Sequence, residues 1–254
     1  MRVAVAQIPI ADSLKVNLSR IIALAREAAR RGAKLVVFPE MCLTGYSPQV
    51  LKDPRLSEEL GEASKALARW AAKLELGLVV GRAEVSEGKY YNAASVFLPD
   101  GRVHTYYKIY LTEAEARYFS PGKTPLVFEH SGHRFGIIIC RDQNYPELAR
   151  RLRQEGAEAL LILAAHFYSP PEARWKVDKN IALPIARAVE NAFPVFLANA
   201  VGSHIGLVSL GNSLIVDPQG VVVARAGETG EAILTWDAFF HDPLTSFPSS
   251  WDRR

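Results

Sequence analysis

Apolar residues along this chain fall into short unbroken runs that alternate with helical stripes. RVAVAQIPI opens as a buried strand. Over 14–31, Leu14, Leu18, Ile21, Ala25 and Ala28 recur at helical spacing and stop at Gly32. KLVVFPE is a second buried strand, ended by its proline. A loop carrying Gly45 and Pro48 leads to a helix at about 57–75 and then to GLVVGRAEV. YYNAASVFLPDGRVHTYYKIYL reads as two strands joined at Pro-Asp-Gly, a hairpin signal. After a loop at 112–125 come the strand RFGIIIC, a helix from about 146 to 156, and the strand ALLILAA. A long helix over about 172–191, the strand PVFLANAVG, the hairpin NSLIVDPQGVVVARA and the strand EAILTWD complete the body.

No linker interrupts this order, so one domain spanning 1–254 is expected. AREAARRGAKLVVFPE and ARRLRQEGAEALLILAA both run amphipathic helix, Gly-Ala, buried strand. Strand–helix–strand units followed by antiparallel hairpins indicate an α/β (α+β) fold of mixed sheets covered by helices. Pattern alone leaves open whether there is one sheet or two.

Composition removes several function classes. Lys plus Arg total 30 against 27 Asp plus Glu, and the basic residues are spread along helices rather than clustered, so no nucleic-acid footprint is expected. No apolar run reaches the roughly 18 residues of a membrane helix. The two cysteines, Cys42 and Cys140, form no CxxC pair, and MRVAVAQIPI is not a secretory signal. A reduced, cytoplasmic compartment is the expectation. CxxC, HExxH, EF-hand, GxSxG, P-loop and GxGxxG motifs are all missing, so the chemistry is expected to run without metal or cofactor.

Three apolar strands end on a reactive group: LVVFPE on Glu40, VHTYYK on Lys108 and FGIIIC on Cys140. Singly, each has an ordinary structural reading. Together, at strand ends where α/β folds place ligand sites, they point to one locus. A thiol of ordinary pKa needs a base or a positive field to attack. Glu40 can take its proton and return it to a leaving amine. Lys108 favours the thiolate and a developing oxyanion, and the Arg141 backbone N–H lies where an oxyanion hole needs a donor. The chemistry is acyl transfer through a thioester. Pairing Cys140 with His166 or His204 would give a thiol–imidazole couple, but no spacing singles out one of the six histidines.

VVFPEMCLTGY, YYKIYL and GIIICRDQNYPE resemble the three signature blocks of the nitrilase superfamily of carbon–nitrogen hydrolases. ARAVENAFPVFLANAVG and GNSLIVDPQGVVVARAGE are similar to its later blocks. The resemblance implies a four-layer α-β-β-α sandwich with two mixed sheets, which dimerises into a larger assembly. It assigns Glu40 as general base, Lys108 as oxyanion and thiolate stabiliser, and Cys140 as nucleophile. The family's second glutamate falls on Glu115 rather than Glu113, because Glu115 is followed by ARYF and Pro-Gly.

Arg-Asp follows Cys140, where the nitrile-hydrolysing branch has Trp-Glu, so the resemblance is to amidases. A small-molecule carboxamide is the expected partner. Members that take acidic amides or N-carbamoyl amino acids carry an arginine a few residues after the cysteine. Gln143 and Asn144 occupy that stretch here, leaving Arg141 or Arg174 to grip a carboxylate from another direction. For Arg141 the alternative is an ion pair with Asp142 or Glu147. Tyr46, Asn144 and, from HFYSPPEARWKVD, His166, Phe167, Arg174 and Trp175 are expected to contact substrate. Cys42 is expected in the core. An inactive, purely binding member of the family is the non-enzymatic alternative. The aromatic tail, with Phe239, Phe240, Phe247 and Trp251, is expected to pack on the body or on a second copy in a homo-oligomer.

Overall fold

A computed structural model describes residues 1–47 and 51–238. The chain opens with β1 (Arg2–Gln7), α1 (Leu14–Arg30), β2 (Leu35–Val37), α2 (Leu56–Leu74), β3 (Gly77–Ser86), β4 (Lys89–Phe97) and β5 (Val103–Tyr107). It continues with β6 (Leu126–His130), β7 (His133–Ile139), α3 (Pro146–Gln154), β8 (Ala159–Ala164), α4 (Pro170–Trp175) and α5 (Val177–Asn191). The last strands are β9 (Val195–Asn199), β10 (Val201–His204), β11 (Leu207–Leu210), β12 (Leu214–Val216), β13 (Val222–Arg225) and β14 (Ala232–Asp237). Single 3₁₀ turns cover Glu115–Arg117 and Cys140–Asn144.

Two mixed six-stranded sheets result, in the orders β14-β1-β2-β3-β4-β5 and β13-β12-β9-β8-β7-β6. Each has a parallel centre, β1-β2-β3 in one and β7-β8-β9 in the other, flanked by antiparallel strands. The helix–Gly-Ala–strand echo thus supplies one parallel strand to each sheet.

Side-chain alternation builds the layers. Val3, Val5, Leu35 and Val37 of the first sheet meet Phe135, Ile137, Ile139, Leu161 and Leu163 of the second in one shared core. Their neighbours point the other way. Ala4, Ala6 and Val36 pack with Ile21, Ala25, Leu60 and Leu67 of α1 and α2, whereas Ile138, Leu160 and Ile162 pack with Leu148, Leu152 and Ala188 of α3 and α5. The order of layers is therefore α-β-β-α. Ser13 caps α1, its Oγ accepting the Val16 N–H at 3.4 Å.

Three elements differ from the sequence pattern. The helix expected over 172–191 breaks at Lys176 into α4 and α5. There the Lys176 ammonium pairs with Glu172 and lies 4.2 Å above the Tyr168 ring. PVFLANAVG is divided between β9 and β10, because β10 leaves the second sheet to pair with β11. The strand β6, antiparallel to β7, lay unread between the loop and RFGIIIC. The expected packing of the tail falls outside the described residues. No helix among the described residues is long and apolar enough to cross a membrane.

Candidate active site

Backbone contacts bring the three strand ends together. After β2, Phe38 N–H donates to Val79 O at 2.8 Å, and Glu40 N–H donates to Ala164 O of the opposite sheet at 3.3 Å. That close approach requires Gly81 in β3, where a Cβ would lie 2.3 Å from Pro39 O and 2.6 Å from the Glu40 Cα. Lys108 follows β5, with its N–H on Asn92 O at 2.9 Å and its carbonyl accepting Gly122 N–H at 2.7 Å. Cys140 follows β7 and adopts φ +43°, a left-handed conformation uncommon for a non-glycine residue.

Asp142 holds that turn. This fully buried carboxylate accepts from Ile139 N–H at 3.0 Å, Tyr110 N–H at 2.8 Å and the Tyr106 hydroxyl at 2.8 Å. Burial pushes its pKa up, and the three donors act against that shift.

Glu40, Lys108 and Glu115 form a buried charge cluster. Lys108 Nζ donates to Glu40 Oε1 and Glu115 Oε1, each at 2.7 Å. Asn92 Nδ2 donates to the same two oxygens at 2.7 and 2.9 Å. Glu115 Oε2 accepts the Thr112 N–H at 2.8 Å, so that carboxylate is fully engaged. Glu40 Oε2 is buried without a hydrogen-bond partner. Glu113 is exposed, so Glu115 is the glutamate that joins the cluster.

Electrostatics separates these groups. Burial raises the Glu40 pKa despite the Lys108 ammonium. Burial also opposes the Glu115 carboxylate, but Lys108 and Thr112 outweigh it and the pKa is lowered. For Lys108, burial disfavours the ammonium, and the carboxylates of Glu40 and Glu115 act against that, so its pKa is raised. The Cys140 thiol is pushed up, first by burial and then by Glu40. Lys108 acts in the opposite direction on Cys140 without prevailing, since two glutamates already surround its charge. A standing thiolate, expected from a lone lysine, is therefore disfavoured.

The cluster opens into a cavity of about 300 Å³ lined by Glu40, Lys108, Glu115 and Cys140, with Tyr46, Arg141, Asn144, His166 and Phe167 among its walls. The sequence signature of the Carbon-nitrogen hydrolase family matches residues 2–238. The chain belongs to that family.

This hydrolase is 34% identical over 221 residues to a protein named nitrilase from Pyrococcus abyssi, covering 85% of this chain and 81% of the relative. It is 33% identical over 249 residues to the human omega-amidase NIT2, covering 93% and 87%. Among solved structures, an amidase from Nesterenkonia sp. AN1 superposes with a TM-score of 0.85 at 28% identity, over 100% of this chain and 98% of that one. Another structure of that amidase carries acrylamide added at its active site cysteine. The hydrolase is thus an enzyme of the nitrilase superfamily with amidase-like carbon–nitrogen chemistry.

Two substrate-contact expectations fail on geometry. Arg174 makes a bidentate pair with Glu228, both bonds at 2.8 Å, at the surface. Trp175 is 79% exposed. Within the single turn and a half of α4, Ala173 is the buried residue, so its two successors rotate away from the cavity.

Arg141 does line the cavity, and its expected ion pair is missing. Asp142 is committed to its three donors, and Glu147 Oε1 accepts the Tyr110 hydroxyl at 3.3 Å. The Arg141 Nε is buried with no hydrogen-bond partner. His166 is a wall rather than a base. Burial lowers its pKa to about 3, and Nε2 lies 3.1 Å from Gln143 Nε2. Cys42 is buried with its Sγ 3.5 Å from Gly81 O, and burial raises its pKa to about 12.

Sequence reasoning missed Asn92 and Asp142. Each had a signal: a lone amide opening the NAASVF run, and an acid two residues past Cys140.

Proposed function

We propose that this hydrolase is an amidase that converts a small carboxamide to a carboxylate and ammonia through a thioester on Cys140. The observation carrying this reading is the unpartnered Glu40 Oε2 in the cavity shared with Cys140, beside an Oε1 pinned by Lys108 and Asn92. In the first step the Cys140 proton passes to Glu40 as Sγ bonds to the amide carbon. The carbonyl π electrons move to oxygen, where the Lys108 ammonium and the Arg141 N–H stabilise the charge. Protonated Glu40 then gives its proton to the amide nitrogen, the C–N bond breaks and ammonia leaves. Water adds to the thioester with Glu40 as base, and collapse frees the carboxylate and restores the thiol. Glu115 holds Lys108 in place throughout.

A carboxylate-bearing amide, N-carbamoyl amino acids included, is the second reading. It is favoured by Arg141 and Lys179, which line the cavity, and by the Arg141 Nε, which is buried with no hydrogen-bond partner. Burying such a carboxylate against an unengaged guanidinium is a favourable use of both charges.

The test is ammonia release from short aliphatic, ω-carboxylated, aromatic and N-carbamoyl amides, with nitriles included. The expected result is hydrolysis of one amide class that disappears in Cys140→Ala. Release that survives the substitution, or a preference for nitriles, overturns the reading.

A homo-oligomer in the cytoplasm is part of the same proposal. The exposed side chains of Val189, which Gly220 approaches, and of Val221, the residue after that glycine, support the assembly. A single monomer mass at all concentrations in size-exclusion chromatography sinks that part.

A further inference from the structure

One wall of the cavity is fastened by a buried histidine that plays no part in the chemistry above. His204 ends β10 and is 5% exposed. Its Nε2 accepts the Tyr46 N–H at 3.0 Å, and its Nδ1 lies 3.6 Å from Asp12 Oδ1. The Phe167 ring stands beside it, with centroids 5.6 Å apart. Gly45 makes the approach possible: it has φ +68°, and a Cβ there would sit 3.1 Å from His204 Cε1 and Nε2.

These contacts dictate the tautomer. An Nε2 that accepts a hydrogen bond leaves the proton of the neutral ring on Nδ1, facing the Asp12 carboxylate. The held residue matters because Tyr46 stands at the reacting groups. Its phenol is kept protonated by burial and by the charges of Glu40 and Glu115. Tyr46 is thus fixed at its backbone by one buried side chain while its ring forms the wall beside Glu40.

We propose that His204 is a positioning residue: its Nε2 lone pair, with the tautomer set by Asp12, holds Tyr46 against the Glu40–Cys140 pair. Protonation of His204 replaces the acceptor with a donor, so that N–H meets N–H and the wall is released. Burial lowers the His204 pKa below its ordinary value of 6.5, and Asp12, from the loop between β1 and α1, works against that shift. Tyr46 and Phe167, which face it from the other two segments, are uncharged there. No other charged group among the described residues acts on it. His204 is therefore neutral at pH 7 and holds the wall there.

The proposal rests on Cys140 being the reacting thiol, so its test reads that thiol without a substrate. Alkylation of Cys140 by iodoacetamide is followed by peptide mass against pH, with thermal melting alongside, for the wild type, His204→Phe, His204→Gln and Asp12→Asn. His204→Phe fills the space without an acceptor and is expected to slow alkylation by about tenfold, since small misplacements near a reacting centre are costly. His204→Gln presents an amide oxygen to Tyr46 and is expected to recover most of the wild-type rate. That amide does not titrate, so the ratio of the wild-type to the His204→Gln rate should fall as the pH drops through the His204 transition. Asp12→Asn should move this fall to lower pH.

A His204→Phe protein that melts and reacts like the wild type overturns the proposal. So does His204→Gln reacting no faster than His204→Phe. If His204→Phe does not fold, identical pH profiles for the wild type and His204→Gln overturn it. Wild-type protein that still hydrolyses amides after complete alkylation of Cys140 indicts the nucleophile assignment instead.

Discussion

Glu40 and Lys108 meet through a single oxygen: Lys108 Nζ lies 2.7 Å from Oε1, and Oε2 has no hydrogen-bond partner. One half of the carboxylate is an anchor and the other half is free to carry a proton. An ion pair closed over both oxygens would leave no base.

Glu40→Gln keeps the shape and an oxygen for Lys108 but removes the base. Hydrolysis is expected to fall by about 10²–10⁴-fold, the usual contribution of a positioned proton acceptor. The sign of the pH dependence follows from the raised Glu40 pKa. As the pH falls through that value the carboxylate protonates, so kcat/KM should decline at a pH above the ordinary carboxylate value of 4.5. A pH–rate profile that is flat until below 4.5 contradicts this assignment.

Lys108→Met removes the only cation that bonds both buried glutamates among the described residues. Leaving like charges unpaired in the interior costs roughly 3–5 kcal/mol. Urea unfolding at neutral pH should show that loss together with the loss of activity. Lower pH should narrow the stability gap to the wild type, because the orphaned carboxylates then become protonated. A gap that widens on acidification refutes the buried-pair account.

Asp142→Asn exchanges an acceptor of three hydrogen bonds for a group whose NH₂ faces donors. A destabilisation of about 1–3 kcal/mol is expected from the unsatisfied partners. The accompanying fall should be in kcat more than KM, since the turn presenting Cys140 is what relaxes. Equal kcat values for variant and wild type would remove Asp142 from the positioning apparatus.

Arg141→Met separates the two substrate readings. If an acidic amide is used, its KM should rise by about 10–100-fold, the worth of a charge-assisted pair of about 1.5–3 kcal/mol. Neutral amides should lose far less, as their contact with residue 141 is through the unchanged backbone N–H. Parallel losses for both classes would retire the acidic reading.

Much of this arrangement was legible because it obeys local rules. Glu40, Lys108 and Cys140 stand just past apolar strands, and strand ends of parallel sheets converge on sites. The repeated helix–Gly-Ala–strand unit gave both halves, and side-chain alternation then sorted each strand into inward and outward faces. What stayed hidden depends on rotation and long-range contact. Arg174 and Trp175 sit in an aromatic segment behind a buried strand, yet one and two residues of helical rotation past the buried Ala173 send them to solvent. At the break, the Lys176 ammonium lies over the Tyr168 ring, a contact that helical spacing does not encode. His204 is 158 residues from Tyr46, and no local pattern connects them.

The donors of this site are divided between the halves of the molecule. Glu40, Lys108 and Glu115 hang from the first sheet or the loops leaving it, Cys140 hangs from the second, and the Glu40 N–H···O Ala164 bond crosses the seam. Neither half alone holds a nucleophile together with its base. During synthesis the thiol consequently stays without its base until the two sheets have closed on their common core, so a half-folded chain has no hydrolytic site. The onset of reactivity marks completed assembly.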